Sequence, residues 1–239
     1  MTTEMHKTAT RDRLLASARK VFAEKGYHHA TVAEICERAG ANIAAVNYYF
    51  RSKETLYVEA WHSAFRRSIT AHPPDGGVPP DAPPEARLRG RIRSLMHRVA
   101  DPESHEFDII HKELANPTGL LTETLRTAIE PIQQGFSTVL RDLLGPGVSE
   151  ADARLCERST MTQCMHFMMR ERFYRLSPNV TPPGPPPLGL DMDVIADHVF
   201  RFILAGIRDV RGRAERGGAG AGAGAGDGDG ETPPGVGAS

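Results

Sequence analysis

Residues 31–53, TVAEICERAGANIAAVNYYFRSK, constrain this chain more than any other stretch: two short apolar periodicities meet at a glycine. Thr31 opens the first, because its hydroxyl can accept a hydrogen bond from an otherwise unpaired backbone N–H of a helix start. Val32, Ile35, Cys36 and Ala39 then fall on one helical face. Gly40 suits the left-handed residue that ends a helix. In the second helix Ile43, Val46 and Phe50 are spaced to face inward, and Asn42, Ala44, Ala45, Asn47 and Tyr48 are left outside. The pattern predicts a helix-turn-helix, a unit whose second helix enters the major groove of DNA.

The outward chemistry suits that role. Asn makes bidentate contacts to adenine, and small Ala side chains approach thymine methyls. Tyr48 and Tyr49 offer hydroxyls to phosphate oxygens, and Lys53 adds a charge where the next helix begins. The expected DNA-facing set is therefore Thr31, Asn42, Ile43, Ala44, Ala45, Asn47, Tyr48, Tyr49 and Lys53. The bland alternative is an αα-hairpin whose tyrosines are amphipathic packing, in a helical module that docks another protein and no DNA.

Net charge is only −1 over 239 residues, but it is unevenly distributed. Residues 1–70 hold eleven Lys/Arg against seven Asp/Glu, and the remainder holds eighteen against twenty-three. The N-terminal part is the phosphate-facing half, and an excess of four charges predicts weak binding by one copy, hence a dimer. The three cysteines, Cys36, Cys156 and Cys164, form no CxxC pair and read as free thiols of a reducing compartment. No N-terminal apolar run suits a signal peptide, and no stretch of about 18 apolar residues suits a membrane span. These features predict a cytoplasmic, nucleoid-associated protein without membrane partners.

No β-alternation persists anywhere, so the expected fold is all-α, with about nine helices. A first helix is expected over about 8–25, with Leu14, Leu15, Ala18, Val21 and Phe22 inward and Gly26 ending it. A fourth begins near Ser52 and runs to about Thr70, with Trp61 expected at the junction between domains. The stretch 71–84, AHPPDGGVPPDAPP, cannot continue a helix and is expected to be a mobile surface loop. Further helices are expected around 86–99, 104–114 and from Thr118 or Thr122 to Leu143, where Pro131 should introduce a kink. Two more follow, one opened by Ser149 with Asp152 in a capping-box-like role and one opened by Asp191. A Pro-rich loop over 177–190 separates them. This divides the chain into a DNA-binding domain (8–68), a helical effector-binding and dimerisation domain (85–212) and a disordered Gly/Ala-rich tail (213–239).

Residues 10–65 resemble the N-terminal domain of TetR/AcrR-type transcriptional regulators. The resemblance rests on RLLASARKVFAEKGYHHATV and AEICERAGANIAAVNYYFRSKETLY, with Phe22, Gly26, Thr31, Ile35, Gly40, Tyr49, Phe50, Lys53 and Leu56. Asn47 stands where many members carry an aromatic residue, so an operator sequence cannot be borrowed. NIAAVNYYF together with HKELANPTGLL is similar to the CerR/YbiH-like branch. The resemblance implies a ligand-responsive repressor acting as a homodimer on a palindromic double-stranded operator.

It also implies pairing through the last two long helices, where Cys156, Thr160, Cys164, Phe167, Val199, Phe202 and Gly206 are the expected interface residues. The same stripes could instead face the domain's own core. An unknown small-molecule effector is expected among Met96, Phe107, Ile110, His111, Phe136, Met161, Met165 and Met168, with Glu113 and His166 as further polar candidates. Methionine adapts to irregular pockets, but Met and aromatic stripes also build ordinary cores. No cofactor is implied. His97, His105 and His111 lack the i,i+4 spacing of helical metal ligands, and Cys164 and His166 point apart on a helix. An enzyme is not expected, since no nucleophile elbow, phosphate-binding glycine loop or paired carboxylates appear.

Overall fold

The computed structural model describes the backbone of residues 2–176 and 188–222. These form nine helices and no strand: α1 (Thr2–His29), α2 (Val32–Ala39), α3 (Ile43–Phe50), α4 (Lys53–Ala71), α5 (Pro84–Ala100), α6 (His105–Ala115), α7 (Thr122–Leu144), α8 (Glu150–Leu176) and α9 (Met192–Gly222). The all-α expectation holds. Helix starts agree best with the sequence where a side chain fixes them. Ser52 accepts a bond from the Thr55 N–H (3.2 Å) to open α4, and Ser149 accepts one from the Asp152 N–H (3.1 Å) to open α8.

Other boundaries differ. α1 breaks at Gly26 (φ 71°), then resumes to His29. Glycine is needed there for its positive φ, and a Cβ at this position would lie 3.2 Å from the Cβ of Lys112 on α6. α9 continues past the end expected near Arg213 to Gly222, with Arg213–Asp209 and Arg211–Glu215 pairs one turn apart along its surface. Most of the loop expected at 177–190, and the tail beyond Gly222, lie outside the described residues.

The connection 71–84 is docked rather than free. A Cβ at Gly76 would fall 2.3 Å from the Gly90 carbonyl oxygen of α5, and one at Gly90 would fall 2.5 Å from Val78. This pair of glycines lets the loop lie directly on the helix. Ser94 donates to the Pro73 carbonyl (2.6 Å), Arg87 donates to that of Ala82 (3.0 Å), and Pro84 supplies the preorganised first turn of α5.

Two apolar cores form. One comprises α5, α7, α8 and α9, around Leu88, Ile92, Met96, Phe136, Leu140 and Val199. The other gathers α1–α4 around Leu14, Phe22, Ile35, Phe50, Tyr57 and Trp61, and it also takes in Ile109 of α6 and Leu121 before α7. α6 therefore packs on α1 and α4, although its place in the chain lies beyond the boundary expected near residue 85. Trp61, stacked on Phe65 at 5.1 Å, is fully buried in this N-terminal core.

Three polar clusters tie α6 to its neighbours. The Glu113 carboxylate of α6 accepts from the Tyr57 hydroxyl of α4 (2.9 Å), the Thr118 N–H (2.9 Å) and hydroxyl (2.9 Å), and the Gly119 N–H (3.1 Å). Ser68 of α4 donates to Glu106 of α6 (3.1 Å), whose carboxylate lies 3.3 Å from Arg98 of α5. Burial pushes the Glu106 carboxyl up to about 7, against the opposing pull of Arg98. Arg172 of α8 grips Asp108 of α6 through Nε (2.8 Å) and its second nitrogen. It also donates to the carbonyls of Val99 (2.8 Å), Asp101 (2.8 Å) and Ser104 (3.1 Å). This guanidinium closes the α5–α6 turn onto α8.

Candidate nucleic-acid interface

Local hydrogen bonding sets how α2 and α3 present their outer faces. Thr31 caps α2 by accepting from the Glu34 N–H (3.2 Å). Gly40 adopts the left-handed conformation (φ 59°), and its N–H and that of Ala41 return to the carbonyls of Glu37 and Cys36. Asn42 caps α3 through Oδ1, which accepts from the Ala45 N–H (2.9 Å). Arg13 of α1 donates to the Ala39 carbonyl (3.1 Å), fixing the turn from behind. Val46 and Phe50 are buried as expected, whereas Ile43 is 53% exposed, so it does not face inward as its spacing predicted.

The exposed face of α3 consists of Asn42, Ile43, Ala44, Asn47 and Tyr48, with Ala45 and Tyr49 half-buried at its edges. Thr31 is exposed, and Lys53 is half-buried beyond the far end of α3. None of the nine expected residues is buried. The structure also divides their work. Asn42 spends its carbonyl oxygen on the cap and keeps only its amide N–H groups for donation. Asn47, with no side-chain bond to a described residue, keeps both halves of its amide, as bidentate adenine contact requires. Tyr48 and Tyr49 meet edge to face with ring centroids 4.9 Å apart.

Lys53 lies with its ammonium 4.3 Å from the centroid of the Tyr27 ring, and Tyr27 in turn donates to Glu54 (2.6 Å). Burial against this ring holds the Lys53 pKa below the usual lysine range. Sequence reasoning missed Arg51. It is exposed directly after α3 and is the only non-glycine described residue with positive φ (67°). Its N–H closes on the Asn47 carbonyl (3.2 Å), and its guanidinium forms no ion pair with a described residue. A charged residue between a tyrosine-rich helix and a Ser cap was the signal available. By contrast Lys25 and Arg38 are neutralised by Glu34 and Glu24. The positive character at the end of α3 comes from Arg51 and Lys53.

Family comparisons agree with this geometry. The model described as "Bacterial regulatory proteins, tetR family" matches residues 14–60. The one described as "HTH-type transcriptional dual regulator CecR, C-terminal domain" matches residues 84–207. The chain belongs to the TetR family. Its C-terminal domain is of the CecR type. The chain is 29% identical over 129 residues to the HTH-type transcriptional regulator TcmR of Streptomyces glaucescens, covering 51% of this chain and 54% of TcmR. It is 53% identical over 45 residues to the HTH-type transcriptional dual regulator CecR of Shigella flexneri, covering 19% and 20%. The matched stretches thus span about half of the first relative and a fifth of the second. The structure of AibR in complex with isovaleryl coenzyme A and operator DNA superposes with a TM-score of 0.60 at 18% identity, over 81% of this chain and 97% of that one. At that identity the likeness speaks for the fold. Both curated relatives are transcriptional regulators.

In this TetR-family chain the expected effector residues are scattered. Met96 and Phe136 are buried in the C-terminal core, with Met161, Met165 and Phe107 packed against it, and Ile110 packs on the N-terminal core. Glu113 is the hydrogen-bonded hub described above, so it is structural rather than pocket-lining. The Met168 side chain lies outside the described residues. His111 alone of the expected set lines a large cavity, of about 690 Å³, which opens between α1, α6 and α8. The stripe of Met and aromatic residues filled a core because its helical spacing turned it toward α5, α7 and α9.

The expected pairing residues separate by face. Thr160, Cys164 and Val199 are buried in the chain's own core, which removes them from an interface. Cys156 is half-buried against that core. Phe202 and Gly206 are exposed, and the Phe167 side chain lies outside the described residues. Leu155 of α8 (62% exposed) and Phe202 of α9 (63%) stand out as large apolar side chains in water, joined by Val194. Leu155 was missed because it lies one position off the expected stripe of Cys156, Thr160 and Cys164. Among the described residues no helix is long and apolar enough to cross a membrane.

Proposed function

We propose that this chain is a homodimeric, ligand-responsive repressor that binds a palindromic operator through α3. The observation carrying this reading is the exposed amide of Asn47 on a capped recognition helix, flanked by Tyr48, Arg51 and Lys53. Asn47 reads a base edge, Ala44 and Ile43 approach thymine methyls, and Arg51, Lys53 and the tyrosines hold phosphates. Pairing runs through Leu155, Val194, Phe202 and Gly206 on α8 and α9, which sets two recognition helices about one DNA turn or a small multiple apart. In support, the similar AibR structure was determined with both an acyl-coenzyme A and operator DNA. The protein acts in the cytoplasm, on the chromosome.

Control is a population shift. An effector favours the arrangement it binds better, and α4 carries the difference to the recognition helices. The buried bonds from Tyr57 and Ser68 to α6 make α4 and α6 move as one piece. Selection of bound duplexes from a random-sequence pool, followed by sedimentation of the complex, tests the reading. Two protomers on an inverted repeat are expected. Enrichment of no motif by a folded dimer would overturn it.

A further inference from the structure

The cavity of about 690 Å³ lies where the two units face each other, at the edges of both apolar cores. Its walls come from three places: Lys20 and Ala23 on α1, His105, His111 and Lys112 on one face of α6, and Met169 on α8. Its volume falls within the range of pockets that bury a drug-sized molecule. Its charges are unequally satisfied. Asp108 is neutralised by Arg172, and Glu24 by Arg38. Glu103, the third acidic residue of the wall, forms no ion pair with a described residue and lies in the field of Arg19 and His105. Lys20 and Lys112 have no ion pair with a described residue, and the buried Nε2 of His105 has no hydrogen-bond partner among them. Ala23, Pro102 and Met169 add an apolar lining.

We propose that this α1–α6–α8 cleft is the effector site, and that it takes a small organic anion: a carboxylate, sulfonate or phosphate head on an apolar body. Lys20 of α1 and Lys112 of α6 meet the head, and the body lies along Ala23 and Met169. The proposal rests on the regulator reading for its consequence, because the cleft joins α1 of the DNA-reading unit to α8 of the pairing unit. A ligand held by both walls binds one relative placement of α1 and α8 better than another. By linkage, operator and ligand then weaken one another by the same factor.

The test uses the full chain and anilinonaphthalenesulfonate (ANS), an aromatic sulfonate of the stated chemistry whose fluorescence reports binding. We expect one saturable site per chain whose affinity falls with added salt. The double variant Lys20→Glu/Lys112→Glu should weaken ANS at least about tenfold, which corresponds to 1.4 kcal/mol. His111→Trp, at an exposed position on the cleft wall, should weaken it as well by occupying the mouth, with the circular dichroism of the wild type. ANS binding unchanged in both variants would place the dye elsewhere and overturn the proposal. The same titration with the selected operator labelled for anisotropy separates the two claims. Operator binding that ignores saturating ANS refutes the cleft as effector site and leaves the regulator standing. ANS binding at the cleft by a chain that binds no DNA refutes the regulator instead.

Discussion

Removing the Glu113 carboxylate should loosen the joint between α4 and α6 by a calculable amount. Glu113 accepts from Tyr57, from the Thr118 N–H and hydroxyl, and from the Gly119 N–H. In Glu113→Ala these donors lose their acceptor. Thr118 and Gly119 lie near the surface and can turn to water, so their loss is modest. The Tyr57 hydroxyl cannot, since its side chain is fully buried. An orphaned buried donor costs about 1–3 kcal/mol, and a bond to a charged acceptor contributes about 1.5–3 kcal/mol net, so roughly 3 kcal/mol is expected overall. Tyr57→Phe removes donor and demand together and should cost only about 1.5 kcal/mol. The double variant should then show a coupling of about 1–2 kcal/mol. Urea unfolding followed through Trp61, the single tryptophan and a member of the same core, measures all three. Glu113→Ala within about 0.5 kcal/mol of wild type, or additive single variants, would refute the clamp.

Asn47→Ala should cost about 1–3 kcal/mol of operator affinity and relax base preference at one position of each half-site, as a selection repeated with the variant would reveal. Arg51→Ala and Lys53→Ala should each weaken all sequences alike and reduce the salt slope by about one, with sedimentation still showing a dimer. Leu155→Asp combined with Phe202→Asp should yield folded monomers; an intact dimer would reject α8 and α9 as the pairing face. Glu106 predicts a pH dependence. Its carboxyl is held at about 7 against an ordinary 4.5, so between those values the folded chain keeps a proton that the unfolded chain has released. Stability should therefore fall as pH rises through that window, by up to about 3 kcal/mol, and Glu106→Gln should flatten the slope.

The N-terminal unit was legible because its signals are local. A cap, a helical stripe and a left-handed glycine each depend on residues within one or two turns, and Thr31, Gly40 and Ser52 behave as their chemistry requires. What escaped depends on partners far along the chain. The stretch 71–84 has the composition of a free loop, but Gly76 meets Gly90 and the two glycines together admit close packing. α6 follows the connection that should divide the domains, yet Ile109 completes the N-terminal core. Periodicity shows that a helix has an apolar face without showing which neighbour covers it. For that reason Thr160, Cys164 and Val199 were expected at a partner surface and lie in the core, while Leu155 and Phe202 face water. The cleft could not be foreseen at all, since its walls come from three helices separated in sequence by most of the chain.

The central claim is that α3 reads duplex DNA, and footprinting of the purified chain on the DNA flanking its own gene, across a salt series, tests it most directly. The account predicts a protected inverted repeat, with binding that falls linearly on logarithmic axes at a slope of about −0.9 for each phosphate neutralised. Salt-insensitive binding, or failure of the folded dimer to protect that DNA or to enrich any sequence from a random pool, would contradict it.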